Sequence, residues 1–211
     1  VKYFENPLLY EGSFMDRVTV GLYCSWFYLK MLIFPKDMAY YYGYNYIPMA
    51  NWSFYQVWLA VIFYVPLGIY GFWRFLQRDV LGLGIVLWLG VMLAFINVLF
   101  PIVGIVADRF TYMFSLGFCI VLGVLLMKIF KIDLTNDSVQ LKLSSGFLIA
   151  VGVIAVLYSA RVINRNPDWH DYLTTYYADL EVVENSAKAH AMISNTLYAK
   201  IRKNKKDPRN R

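Results

Sequence analysis

Long apolar runs, separated by short polar breaks, dominate the chain. Met38–Trp73, Val80–Ala107, Phe110–Met127 and Leu143–Ala160 contain no Lys, Arg, Asp or Glu. A helix needs about 20 apolar residues to cross a bilayer core. The pattern predicts four spans: Phe54–Trp73, kinked at Pro66, Val80–Phe100, ending at Pro101, Tyr112–Phe130 and Leu143–Ile163. A fifth segment, Val18–Phe34, is weaker, because Lys30 interrupts it and Tyr, Ser and Cys dilute it. It either spans or lies along the interface.

After Ile163 the pattern changes. Asn166-Pro167-Asp168 signals a helix start, and Leu173, Tyr176, Tyr177, Leu180 and Val183 recur at helical spacing. Asn185-Ser186 breaks this pattern, and Ala187, Ala191, Ile193, Leu197, Tyr198 and Ile201 form a second stripe. A helix–turn–helix the size of one helical repeat follows, and a single repeat cannot bury its own face. The predicted fold class is therefore all-α. A polytopic membrane region with four to five transmembrane helices covers 1–163, and an extramembrane helical hairpin with a basic tail covers 164–211.

Composition agrees with this class. The chain of 211 residues is 59% hydrophobic, 18% aromatic and 16% charged, with mean hydropathy +0.47. Soluble domains carry roughly 25% charged residues, so an ordinary soluble domain and general disorder are both excluded. The net charge of +6 lies in the tail, where Lys200, Arg202, Lys203, Lys205, Lys206, Arg209 and Arg211 face one acid, Asp207. The rest of the chain is balanced, which argues against a nucleic-acid partner. Cys24 and Cys119 sit in apolar runs, and His170 and His190 stand alone. No metal-ligand spacing exists, and the thiols read as small hydrophobes.

Lys and Arg in short loops set orientation. Arg74–Asp79 and Lys131–Lys142 are expected on the cytoplasmic side of a bacterial inner membrane or the endoplasmic reticulum. Pro35–Ser53, Pro101–Thr111 and the tail are then periplasmic or luminal, and the side of Val1–Arg17 depends on the weak helix. The chain opens on Val1, has no signal-peptide pattern, and reads as an internal or C-terminal piece of a longer protein.

Candidate chemistry clusters in the outward segments. Asp108-Arg109, with Thr111 and Tyr112, opens the span at Tyr112–Phe130. The guanidinium of Arg109 suits a lipid phosphate in bidentate fashion, or snorkels beside Asp108. The loop PKDMAYYYGYNYIPMANW holds six aromatics with Asp37 and Asn45. It is either an interfacial aromatic belt or a sugar platform, with Tyr44 among its rings and Asp37 and Asn45 taking hydroxyls. Glu5-Asn6-Pro7 is a turn or cap signal. Arg161, with Asn164, Arg165, Asn166 and Trp169, marks the exit of the last span, as an interfacial anchor or a ligand contact.

The order of these pieces is more specific than any one alone. Asn6-Pro7 leads to Arg17 and an aromatic helix ending at Phe34-Pro35, and a Tyr-rich loop closes on Ile47-Pro48. Ala107-Asp108-Arg109-Phe110-Thr111-Tyr112, Ser115 and Gly117-Phe118-Cys119 follow, then Arg165-Asn166-Pro167-Asp168-Trp169 and a pair opening at Asn185–His190. This resembles the C-terminal membrane half of TMTC-type proteins, protein O-mannosyltransferases with tetratricopeptide repeats. The resemblance implies a GT-C-type fold that moves a sugar, mannose in that family, from a polyprenyl-phosphate donor to a protein acceptor. It implies an Asp base, often a divalent metal, and repeats that hold the acceptor or a partner. On this basis Asn6, Asp37, Tyr44, Asn45, Asp108, Arg109, Tyr112 and Arg161 are the expected substrate-binding residues. Family members usually carry Glu where this chain has Asp108 and Pro where it has Phe114. Their catalytic acid lies in a first outer loop of an N-terminal half, so no base is assigned within these residues. A non-catalytic scaffold presenting the hairpin to a partner, and a lipid-linked glycan ligase or polymerase, are the competing readings.

Overall fold

The computed structural model describes residues 6–10, 12–42, 46–102, 104–132 and 144–206. Among them are seven α-helices and no strand. These are α1 (Phe14–Ile33), α2 (Tyr55–Leu76), α3 (Val80–Leu93), α4 (Asp108–Ile129), α5 (Ser145–Arg165), α6 (Tyr172–Leu180) and α7 (Ala187–Lys206). Short 3-10 turns precede α1 at Pro7–Leu9 and follow α5 at Asn166–Trp169. Much of the expected Lys131–Lys142 loop and the end of the basic tail lie outside the described residues.

Three helices have the length and apolarity to cross a membrane: α2, α4, and α5 with its following turn to Trp169. Helix α3 is apolar but shorter. Its 14 residues rise about 21 Å, against a bilayer core of about 30 Å. The expected helix to Phe100 therefore stops early. Asn97 takes the left-handed conformation, φ 64°, and turns the chain back.

Helix α1 occupies the space beyond that stop. Its first turn is fixed by a capping box, in which the Ser13 and Asp16 side chains each accept the other's backbone N–H. Along its length the partners are Ala50 at Thr19, Ile96 and Val98 at Gly21, Tyr64 at Ser25, Ala107 at Tyr28 and Tyr158 at Leu32. A Cβ on Gly21 would come within 2.4 Å of the Val98 side chain and 2.8 Å of the Ile96 carbonyl. Thr19 and Gly21 near the start of α1 and Tyr28 near its end thus all touch connections at the same end of the bundle. The weak segment lies across the bundle end and does not traverse it. Asn6 is at that end too, against Ile102.

Helices α2, α3 and α4 pack side by side beneath α1. Asp79 caps α3 by accepting from the Leu81 N–H at 2.9 Å and pairs with Arg74. At Gly117 the α3 and α4 backbones nearly touch, and a Cβ there would lie 2.4 Å from the Trp88 nitrogen. Small residues permit such close crossing of membrane helices. Helix α5 differs, because none of its hydrophobic window is buried. Helices α6 and α7 follow one another and pack together.

Candidate functional site

The site forms where Pro35–Ser53, Pro101–Thr111 and the chain after α5 meet. Its centre is Tyr42, fully buried on the loop after α1. The Tyr42 hydroxyl donates to the Asp108 carboxylate at the first turn of α4, and the Asp37 carbonyl lies 2.8 Å away as the alternative acceptor. A hydroxyl has one proton, and a carboxylate is the stronger acceptor. The Ala39 N–H donates to the Tyr42 hydroxyl oxygen at 3.1 Å. Burial, and then the Asp108 charge, push the Tyr42 phenol far above its ordinary range, so it remains a donor at neutral pH.

Three supports hold this pair. Beneath it, Phe27 packs edge-on against Tyr42 and Tyr46, with centroids 5.3 Å and 5.9 Å away. Behind it, a buried asparagine pair fixes the chain leading into Asp108. Asn6 Nδ2 donates to Asn97 Oδ1 at 2.9 Å and to the Ile102 carbonyl at 2.8 Å. Asn97 Oδ1 also accepts from the Ile102 N–H, and its Nδ2 donates to the Ile105 carbonyl, each at 2.7 Å. Ile105 sits at φ 59°, a strained conformation for a β-branched residue. Such strain persists only where the surroundings over-determine it, and the asparagine pair does so here.

A third support comes from the hairpin. Arg165, at the end of α5, is ion-paired with Asp179 of α6 and, at 2.9 Å, with Asp168. The second oxygen of Asp179 accepts the Tyr40 backbone N–H at 2.6 Å. Tyr40 itself packs against Trp169 and Tyr176. The hairpin therefore grips the aromatic loop two residues from Tyr42.

Beside Tyr42 opens a cavity of about 440 Å³ along α1. Tyr23, Trp26, Phe27 and Tyr46 supply aromatic walls, and Lys30, Lys36 and Asp37 supply charge. Burial, then the charges of Asp37 and Asp108, raise the Tyr46 phenol to about 12, so its hydroxyl also stays protonated at neutral pH. An aromatic wall with a carboxylate and an ammonium at its edge can stack a sugar ring and hold an anion.

The expected residues separate into three groups. Asp108 joins the Tyr42 pair, and Asp37 is exposed at the cavity. Arg109 and Tyr112 are exposed on α4. The Arg109 guanidinium lies 5.1 Å over the Phe110 ring and has no carboxylate partner among the described residues. Asn6 spends its amide on backbone and on Asn97, and Arg161 donates to the Pro35 carbonyl at 2.7 Å and to that of Lys36. Tyr44 and Asn45 lie outside the described residues. The aromatic loop is divided between core packing at Tyr42, the cavity wall at Tyr46 and the hairpin at Tyr40. Asp179 was not among the expected residues. Its signal is an acid on the apolar stripe of α6, three residues after Tyr176 and four before Val183. No cluster of three or more His, Cys, Asp or Glu suited to a metal occurs among the described residues.

No family model matches the chain, and no solved structure matches it. Curated relatives do. A 92-residue stretch is 33% identical to Protein O-mannosyl-transferase TMTC3 of Mus musculus and 34% identical to that of Homo sapiens. The stretch is 44% of this chain and spans 9% of each relative's length. The chain is an integral membrane protein with a partial, TMTC-like similarity.

Proposed function

We propose that the chain is part of a membrane glycosyltransferase that moves a sugar from a polyprenyl-phosphate donor to a protein hydroxyl. The observation that carries this reading is the aromatic cavity beside Tyr42–Asp108, at the end of a bundle of apolar helices. The partial similarity to O-mannosyltransferases supports mannose as the sugar. In the transfer, the acceptor oxygen bonds to the anomeric carbon as the bond to the donor's phosphate breaks. The phosphate leaves with the electron pair, and the hydroxyl proton passes to a carboxylate base. In the resembled enzymes that base belongs to a segment outside this sequence.

These residues would hold the donor. Trp26 and Tyr46 stack the sugar, and Asp37 accepts its hydroxyls. Three cations are available to the phosphate: Lys30 and Lys36 in the cavity wall and Arg109 at the first turn of α4. A mannose-transfer assay on the full-length protein, with polyprenyl-phosphate mannose and a Ser/Thr-containing acceptor protein, tests the reading. Losing one charge-assisted phosphate contact in Lys30→Ala or Arg109→Ala should lower transfer about tenfold or more. Transfer undiminished in both variants, or absent with polyprenyl-phosphate mannose in the wild type, would overturn it.

A further inference from the structure

Helix α5 meets the rest of the membrane region at one end through polar tethers. The Tyr158 hydroxyl donates to the Leu32 carbonyl and lies 3.3 Å from that of Ile33. One turn on, Arg161 donates to the Pro35 and Lys36 carbonyls. Along the rest of the helix Ile149, Val156 and Leu157 are each about two-thirds exposed, at 66%, 67% and 64%. The tethers leave a wedge of about 320 Å³ between α5 and the end of α1. Ile33, Phe34 and Leu157 line its apolar part, and Lys36, Arg161 and Asn164 its polar end.

We infer that this wedge is a binding site for one anionic phospholipid, with an acyl chain against Ile33, Phe34 and Leu157 and the phosphate at Arg161 and Lys36. The charge pattern favours this occupant. A guanidinium has five N–H donors, and the two carbonyls take two of them. The remaining donors have no carboxylate partner among the described residues, and the same is true of the Lys36 ammonium. A planar guanidinium beside an ammonium suits phosphate. The apolar walls continue directly from this cationic end, so a single amphipathic molecule satisfies both. Tyr158 is on the wedge floor, its hydroxyl already committed to α1, so the lipid would seal a join that protein side chains leave open. The wedge shares Ile33, Phe34 and Lys36 with the cavity along α1, but the inference needs only that the chain resides in a membrane and does not rest on the sugar-transfer reading.

Native mass spectrometry of the full-length protein, released from vesicles of phosphatidylglycerol and phosphatidylcholine in equal parts, tests it. One retained phosphatidylglycerol per chain is expected, favoured about tenfold over phosphatidylcholine. Arg161→Ala should lose that retention, and Arg161→Lys should keep part of it. Because Arg161 also holds the loop, Leu157→Trp provides a second variant that fills the wedge and keeps the tethers. It should lose the lipid while helix content by circular dichroism stays at the wild-type level. Equal retention of both lipids, retention unchanged in Arg161→Ala and Leu157→Trp, or binding of inorganic phosphate without lipid would each overturn the proposal. Mass corresponding to a second chain in place of lipid would also overturn it.

Discussion

Asp179→Ala removes the acid that ties the hairpin to the membrane region. In the native protein its side chain is 5% exposed and that of Arg165 10% exposed. Breaking one partner of a buried ion pair costs about 3–5 kcal/mol, because the other charge remains buried. Asp168 still neutralises part of the Arg165 charge, which places this component near the lower bound. The Tyr40 N–H also loses its acceptor, and an unmade bond of this kind costs about 1–3 kcal/mol. The expected total is about 4 kcal/mol, or roughly a 700-fold rise in the fraction with the hairpin released. Limited proteolysis within 166–186 reads that fraction when opening is fast relative to cleavage. Arg165→Met should cost a similar amount, since it leaves Asp179 buried without its ion-pair partner. The double variant should cost about 2–3 kcal/mol less than the sum of the singles, which marks a direct coupling. Costs below about 1 kcal/mol, or singles that add in the double variant, would refute the buried clasp.

Other outcomes follow from the same geometry. Asn97→Ala removes two buried hydrogen bonds and a third that is partly buried and should cost about 3–5 kcal/mol in a thermal melt in detergent. Asn97→Gly should cost about 1 kcal/mol less, since glycine tolerates the left-handed conformation. Gly117→Ala forces a Cβ into the α3 backbone and should lower the melting midpoint by several degrees, at a cost of about 1–3 kcal/mol. Tyr42→Phe removes the hydroxyl held by Asp108 and should raise KM for the sugar donor about tenfold, with a smaller change in kcat, as measured by initial rates.

The long helices were legible because apolar runs of this length have few other uses. Helices α2, α4 and α5 fall within a few residues of the expected spans. The early stop of α3 was not legible. It depends on Asn97 meeting Asn6, 91 residues away, and no local pattern encodes that meeting. Helix α1 was ambiguous for a physical reason. A helix lying across a bundle end buries one side against many partners, yet Lys30 at its cavity edge gives it the composition of a weak span. Arg165 belongs to the cluster at the end of the last span, but its chief partner, Asp179, is known only once α6 folds back over the loop. Arg161 shows the limit of residue type alone, since its guanidinium is partly committed to backbone carbonyls. The aromatic loop divides in a way neither expected role describes, with Tyr42 packed into the core and Tyr46 on an open wall.

The cavity along α1 is the proposed place where a lipid-linked sugar binds. Photocrosslinking with a polyprenyl phosphate that carries a photoreactive group beside the phosphate measures this directly in the full-length protein. The predicted result is a labelled peptide within Tyr23–Ile47, competed away by polyprenyl-phosphate mannose and lost in Trp26→Ala. Labelling confined to the exposed faces of α2 or α5, or labelling of Tyr23–Ile47 that the donor does not compete, would contradict it.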